Sequence, residues 1–142
     1  RDWQRAGRSI GAGLLLAASL STLLGIILWL LATPLAAVWT DDPAVQAVAL
    51  GLFGYVACYQ IFDAVQTIAA HALRGYRITF APMFVHVLCF WGVGLFGGWW
   101  LAFRSPQPMG VSGFWLASVG SLVLASAMLG ALLWRAMRVI RD

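Results

Sequence analysis

The chain contains no lysine and no glutamate. Nine arginines and five aspartates carry all of its fixed charge, so only 10% of its 142 residues are charged. A soluble domain carries about a quarter. That scarcity excludes an ordinary solvated surface. The isoelectric point near 9.8 does not point to nucleic acid, because the arginines stand singly at the ends of apolar runs rather than as a patch. Cysteine is also scarce. Cys58 and Cys89 lie alone in different apolar runs, which favours small buried side chains over a disulfide or a metal site. No Ser-His-Asp set, HExxH pattern, phosphate loop or metal-ligand spacing occurs. Neither an enzyme nor a metal centre is expected.

What is present is apolar. The chain is 62% hydrophobic, with a mean hydropathy of +0.87, which reads as an all-α integral membrane protein. Four runs qualify as spans: residues 9–33, 44–73, 78–103 and 110–134. About 20 residues cross a hydrocarbon core, and in lipid such a run must be helical to satisfy its own backbone. The first run is much longer than a signal-peptide core of roughly 7–15 residues, so it reads as a span. The chain opens at Arg1 rather than methionine, which reads as a piece of a longer protein.

The connections carry their own punctuation. Pro34 is expected to close the first helix. Asp42-Pro43 supplies an N-cap and a first-turn proline for the second. Arg74-Gly75 gives it a basic last turn and a C-cap glycine. Ser105-Pro106-Gln107-Pro108 is a turn. Basic residues then set orientation. Arg1, Arg5 and Arg8 precede the first span, Arg74 and Arg77 fall in the second loop, and Arg135, Arg138 and Arg141 follow the last span. The other side has Arg104 alone. Eight against one predicts that both termini are cytoplasmic.

One charge breaks the pattern. Asp63 is the only carboxylate inside an apolar run. It precedes Arg74 by 11 residues, which at 1.5 Å per residue is roughly 16 Å, near the bilayer midplane. Such an aspartate costs about 2.5–3.5 kcal/mol on insertion scales and is a functional candidate by default. Tyr55, Tyr59, Asp63 and Gln66 fall at spacings of 4, 4 and 3, on one helix face. A second polar line, Gln60, Thr67 and His71, runs beside it. The helix is therefore expected to line an aqueous or ligand cavity. A carboxylate there offers hard oxygen ligands to a cation and a site for a proton. The alternative is interhelical glue, with Asp63 bonded to a neighbouring helix. His71, near the helix end, reads as interfacial or as part of a pathway.

Gly92, Gly94, Gly97 and Gly98 cluster in the third run. Gly94 and Gly98 make a small-xxx-small pair that permits close helix approach, or a hinge. Most of the eight tryptophans, including Trp99, Trp100 and Trp134, sit near span ends as belt residues. Trp91 and Trp115 lie deeper, in the core, against lipid or along a substrate path.

Three stretches resemble one family. They are YQIFDAVQTIAAHALRGYR of the second run, TPLAAVWTDDPAV after the first, and PMGVSGFWLASVGSL opening the last. In this order and spacing the chain resembles the C-terminal part of a multidrug and toxic compound extrusion (MATE) transporter, of the NorM-like bacterial branch. The resemblance implies helices nine to twelve of a twelve-helix fold built from two six-helix bundles. It implies a multi-pass protein of the bacterial inner membrane that exports small cationic or amphipathic compounds in exchange for Na⁺ or H⁺. It implies no cofactor. Its partners would be the lipid bilayer, the substrates and the other eight helices. Asp63 stands where the family has its cation-site aspartate, and Tyr59 matches an aromatic neighbour. Ile78 departs from the family, which usually has an Asp-Thr pair after LRG. A related lipid-linked sugar flippase and a small four-helix membrane scaffold are the alternatives. One acid and no base on the polar face favours cationic substrates.

Overall fold

A computed structural model of the protein describes residues 3–139. Arg1 and Arg141, counted above toward orientation, lie outside the described residues. Among those residues there is no strand. Four helices are long and apolar enough to cross a membrane: Gly7–Leu30, Pro43–Gly75, Phe80–Arg104 and Val111–Val139. We call them the first to fourth spans.

Pro34 does not close the first span. The helix Trp3–Leu30 breaks at Leu31, and a short helix, Ala32–Trp39, follows with Pro34 in its first turn. First-turn N–H groups have no intrahelical acceptor, so proline loses nothing there. Hydrogen bonds from the Leu31 N–H to the Ile27 carbonyl (2.9 Å) and from the Leu35 N–H to the Leu31 carbonyl (3.0 Å) carry the chain through the break. The second span starts as its sequence predicts. The Asp42 carboxylate accepts from the Ala44 N–H at 2.8 Å, and Pro43 is the first helical residue.

Its end differs. Gly75 is the last helical residue, and the left-handed position belongs to Arg77 (φ 62°). The Arg77 N–H bonds the Arg74 carbonyl and the Ile78 N–H bonds the Leu73 carbonyl, both at 2.9 Å. This is a Schellman motif with Arg77 where glycine is usual. Such a motif wants an apolar residue after the left-handed position to pack back on the helix. Ile78 does so, lying against the cluster that contains fully buried Leu73. The isoleucine that departs from the family pattern thus has a packing reason.

The third span changes winding. It is α-helical over Phe80–Val87, π-helical over Leu88–Phe96, α-helical for Gly97–Trp99 and π-helical again over Trp100–Arg104. A π turn leaves a ladder irregular and is found mostly at functional sites.

The spans pack in the order first, second, fourth, third. They alternate in direction, so Arg5, Arg8, Arg74, Arg77, Arg135 and Arg138 gather at one end and Arg104 at the other. The core lies in the arginine-rich half: Ala69, Ala70, Leu73, Val85, Cys89, Ala125, Leu129 and Leu133. Cys89 is fully buried. Cys58 is exposed, on a face the second span does not pack, and both thiols are free. In the opposite half small residues make the contacts. A Cβ on Gly25 would lie 3.1 Å from the Ala57 carbonyl oxygen, and one on Gly113 3.0 Å from the Ala102 nitrogen. Gly94 and Gly98 admit Ser121 and Phe114 of the fourth span. Arg104 lies over Trp99 and Arg138 over Trp134, at 5.5 and 3.6 Å from the ring centroids. That pairs a belt ring with a cation at each end.

Candidate functional site

Asp63 is half-buried. One turn along the same face, Gln66 donates from Nε2 to Asp63 Oδ1 at 3.2 Å. Gln66 itself is buried, at 6% exposure. Its Nε2 also reaches Thr67 Oγ1 at 3.2 Å, and its Oε1 lies 2.6 Å from His86 Nε2 on the third span. The His86 ring stacks on Phe90, with centroids 5.4 Å apart and planes 5° from parallel. The fourth span grips the same level, where Ser126 Oγ donates to the Phe62 carbonyl at 2.9 Å. The carboxylate therefore sits where three spans meet.

Sequence reasoning missed His86. The signal was available: an imidazole within an apolar run is itself costly and deserves the same attention as a carboxylate. It was passed over because no polar neighbours at helical spacing accompany it on its own helix. Its partner comes from another span, 20 positions away.

Tyr59, one turn from Asp63 on the other side, meets Trp115 edge-on, with centroids 6.3 Å apart and planes at 78°. Trp115 thus faces the second span. Tyr59, Gln60, Val56, Phe114, Trp115 and Ser118 line a cavity of about 530 Å³. Tyr59 and Ser118 also line a second one of about 240 Å³, with Phe90, Gly94 and Ser121 among its walls. A third, of about 590 Å³, is almost wholly aromatic: Trp91, Phe96, Trp99 and Phe114 with Leu95. Phe114 borders all three.

The polar residues of the second span border more than one cavity. Thr67 and His71 line a separate groove of about 310 Å³ against Ser9, Ile10 and Gly13 of the first span. Residues 60, 67 and 71 stay within about 40° of one another round the helix, and the neighbour changes with level: the fourth span's Phe114, Trp115 and Ser118 beside Gln60, the first span's Ser9, Ile10 and Gly13 beside Thr67 and His71. His71 Nδ1 pairs with the Thr67 carbonyl one turn back, at 2.8 Å, and its side chain is exposed. Gln66 is buried and bridges the second span to the third through His86. Tyr55 is half-buried, two turns from Asp63.

Chemically, the arrangement provides one carboxylate with an oxygen pinned by an amide, beside a cavity walled by aromatic faces and two small polar groups. Hard cations are bound by such oxygens, and organic cations by such rings. Among the described residues no three His, Cys, Asp or Glu side chains converge as a metal site.

The MatE family model matches residues 1–100. The "Probable multidrug resistance protein NorM" of Aromatoleum aromaticum is 52% identical over 141 residues, 97% of this chain and 30% of the relative. The protein of the same name from Neisseria meningitidis serogroup B is 39% identical over 134 residues, covering 94% and 28%. "Multidrug resistance protein PmpM" of Pseudomonas aeruginosa is 34% identical over 148 residues, covering 94% and 31%. The chain spans about three tenths of the length of these relatives.

Proposed function

The chain belongs to the MatE family, and from that premise we propose that it is the cation-coupling part of a secondary active multidrug antiporter. It is a multi-pass membrane protein. In this reading it lies in a bacterial inner membrane with both termini cytoplasmic. Eight further helices complete the transporter, and four spans alone do not transport. It exchanges small cationic or amphipathic compounds for Na⁺ or H⁺ and is not an enzyme.

The observation that carries the reading is the Asp63 carboxylate, pinned at one oxygen by Gln66 and one turn from the Tyr59–Trp115 pair. A lone intramembrane carboxylate holds one cation at a time. A drug cation stacked on Tyr59 or Trp115 draws on the same negative charge as the coupling ion, so loading one weakens the hold on the other. Exchange follows from that competition. The relatives' printed names support drugs as the cargo, and the absence of any basic side chain from the polar face of the second span before Arg74 supports a cationic class.

The test is efflux of a fluorescent organic cation from cells expressing the full-length parent. Asp63→Asn keeps the size and hydrogen bonding of the side chain but removes its charge. We expect membrane insertion to be normal and efflux to fall to the level of cells without the transporter. Wild-type efflux in that variant would assign Asp63 to helix packing instead.

A further inference from the structure

Donor and acceptor arithmetic fixes more of the site than the carboxylate alone. It rests on the reading of Asp63 as the cation anchor. An ionised carboxylate only accepts hydrogen bonds. The Gln66 amide 3.2 Å away must therefore turn its nitrogen to Asp63. Its carbonyl then points at His86 Nε2, 2.6 Å away. That oxygen has only lone pairs to offer, so Nε2 of His86 must carry hydrogen. The second amide hydrogen goes to Thr67 Oγ1. Gln66 is buried, so water does not compete to turn the amide round. The ring that fixes it is in turn held flat against Phe90. Only Oδ1 of Asp63 is engaged among the described hydrogen bonds, which leaves Oδ2 for a cation.

We propose that His86 is a positioning residue for the coupling site: through Gln66 it holds Asp63 with one oxygen tied and the other presented to the incoming Na⁺ or H⁺. The relay crosses from the third span to the second, and the third span passes into its π-helical segment at Leu88, two residues beyond His86. Any movement of the third span away from the second pulls His86 off Gln66, leaves the amide oxygen without its donor, and frees Gln66 and the carboxylate tied to it to shift. Arg74 is the charged side chain whose field also reaches His86, and it stays in place in every variant below.

The experiment uses the full-length transporter in proteoliposomes. Its readout is the coupling-cation concentration that gives half-maximal export of a fluorescent cation, alongside the maximal rate. His86→Leu removes the donor and is expected to raise the half-saturating concentration about tenfold, the worth of one hydrogen bond in a charged relay, with the maximal rate at saturating cation kept. His86→Gln puts an amide nitrogen at nearly the reach of Nε2 and is expected to bring the value back to within about twofold of wild type. Gln66→Met cuts the relay from the other side. It should shift the same parameter by a similar factor, and adding it to His86→Leu should shift it no further. If His86→Leu fails to accumulate, Gln66→Met and His86→Gln carry the comparison. An unchanged half-saturation in His86→Leu or Gln66→Met, or a half-saturation in His86→Gln raised as far as in His86→Leu, overturns the relay. Those outcomes leave Asp63 as anchor whenever Asp63→Asn is inactive. Full activity in Asp63→Asn overturns the underlying reading instead.

Discussion

The two halves of the bundle are built from different material. In the arginine-rich half, leucine, alanine, valine and cysteine from the second, third and fourth spans close into a core. Leu73, Leu129 and Leu133 are all but inaccessible there. In the other half the contacts are made by glycine against backbone or an aromatic ring, the third span winds as a π-helix, and cavities open between Tyr59, Phe114 and Trp115. Lipid tails are as apolar as leucine, so neither half is held by the hydrophobic effect against its solvent. Packing and hydrogen bonds hold both. The difference lies in how much each half can rearrange. Interdigitated leucines resist sliding, whereas glycine contacts and spare volume tolerate it. Asp63, Gln66 and His86 sit at the border, with one partner on each of two spans. A charge there is anchored by the firm half and open to the loose one.

Substitutions in each half test that contrast. The largest stability effect is expected in the firm half. Leu129→Ala would leave a hole in the core where Leu129 is fully buried and cost about 2–5 kcal/mol, read as a lower thermal midpoint of the purified full-length parent. A smaller and position-dependent effect is expected among the glycines. A Cβ at Gly98 would lie 2.6 Å from Phe114 Cδ1, so Gly98→Ala is expected to cost about 1–3 kcal/mol and to displace the ring that borders all three cavities. At Gly92 nothing lies within 4 Å. Gly92→Ala is expected to be neutral or to stabilise by up to about 1 kcal/mol through helix propensity. Equal losses at the two positions would mean that flexibility of the third span, rather than close approach, explains its glycines.

These contrasts also mark what the sequence could and could not disclose. Span number and order are written in hydropathy, which depends only on local composition, and so were legible. The N-cap at Asp42 was legible because cap chemistry is local too. Pro34 misled because a proline marks a helix start as readily as a stop. Gly75 misled because either residue of a Gly-Tyr-Arg turn is a formal candidate for the left-handed position, and the apolar pull of Ile78 on Leu73 decided it. That Thr67 and His71 meet the first span was not legible, since the helical step keeps them within about 40° of Gln60 and the neighbour is set by tertiary packing. His86 was not legible from spacing at all, since its bond to Gln66 is tertiary. The π turns have no local code of their own: the same glycine cluster reads equally as packing or hinge.

The smallest effect tests the loop. Arg77 holds a left-handed backbone at φ 62°, which glycine adopts freely. Arg77→Gly is expected to raise stability by a few tenths to about 1 kcal/mol, part of the gain being offset by the more flexible unfolded chain. A lower midpoint in that variant would mean that the arginine side chain, not its backbone, holds the turn.

The most direct test of the central claim is made on the coupling ion rather than the drug. Full-length parent protein is reconstituted in vesicles, an organic cation is added on one side, and the movement of Na⁺ and of protons that it drives is recorded for wild type and for Asp63→Asn. The account predicts drug-driven movement of one of the two ions in wild type and none above protein-free vesicles in the variant. Undiminished ion movement in Asp63→Asn would contradict it.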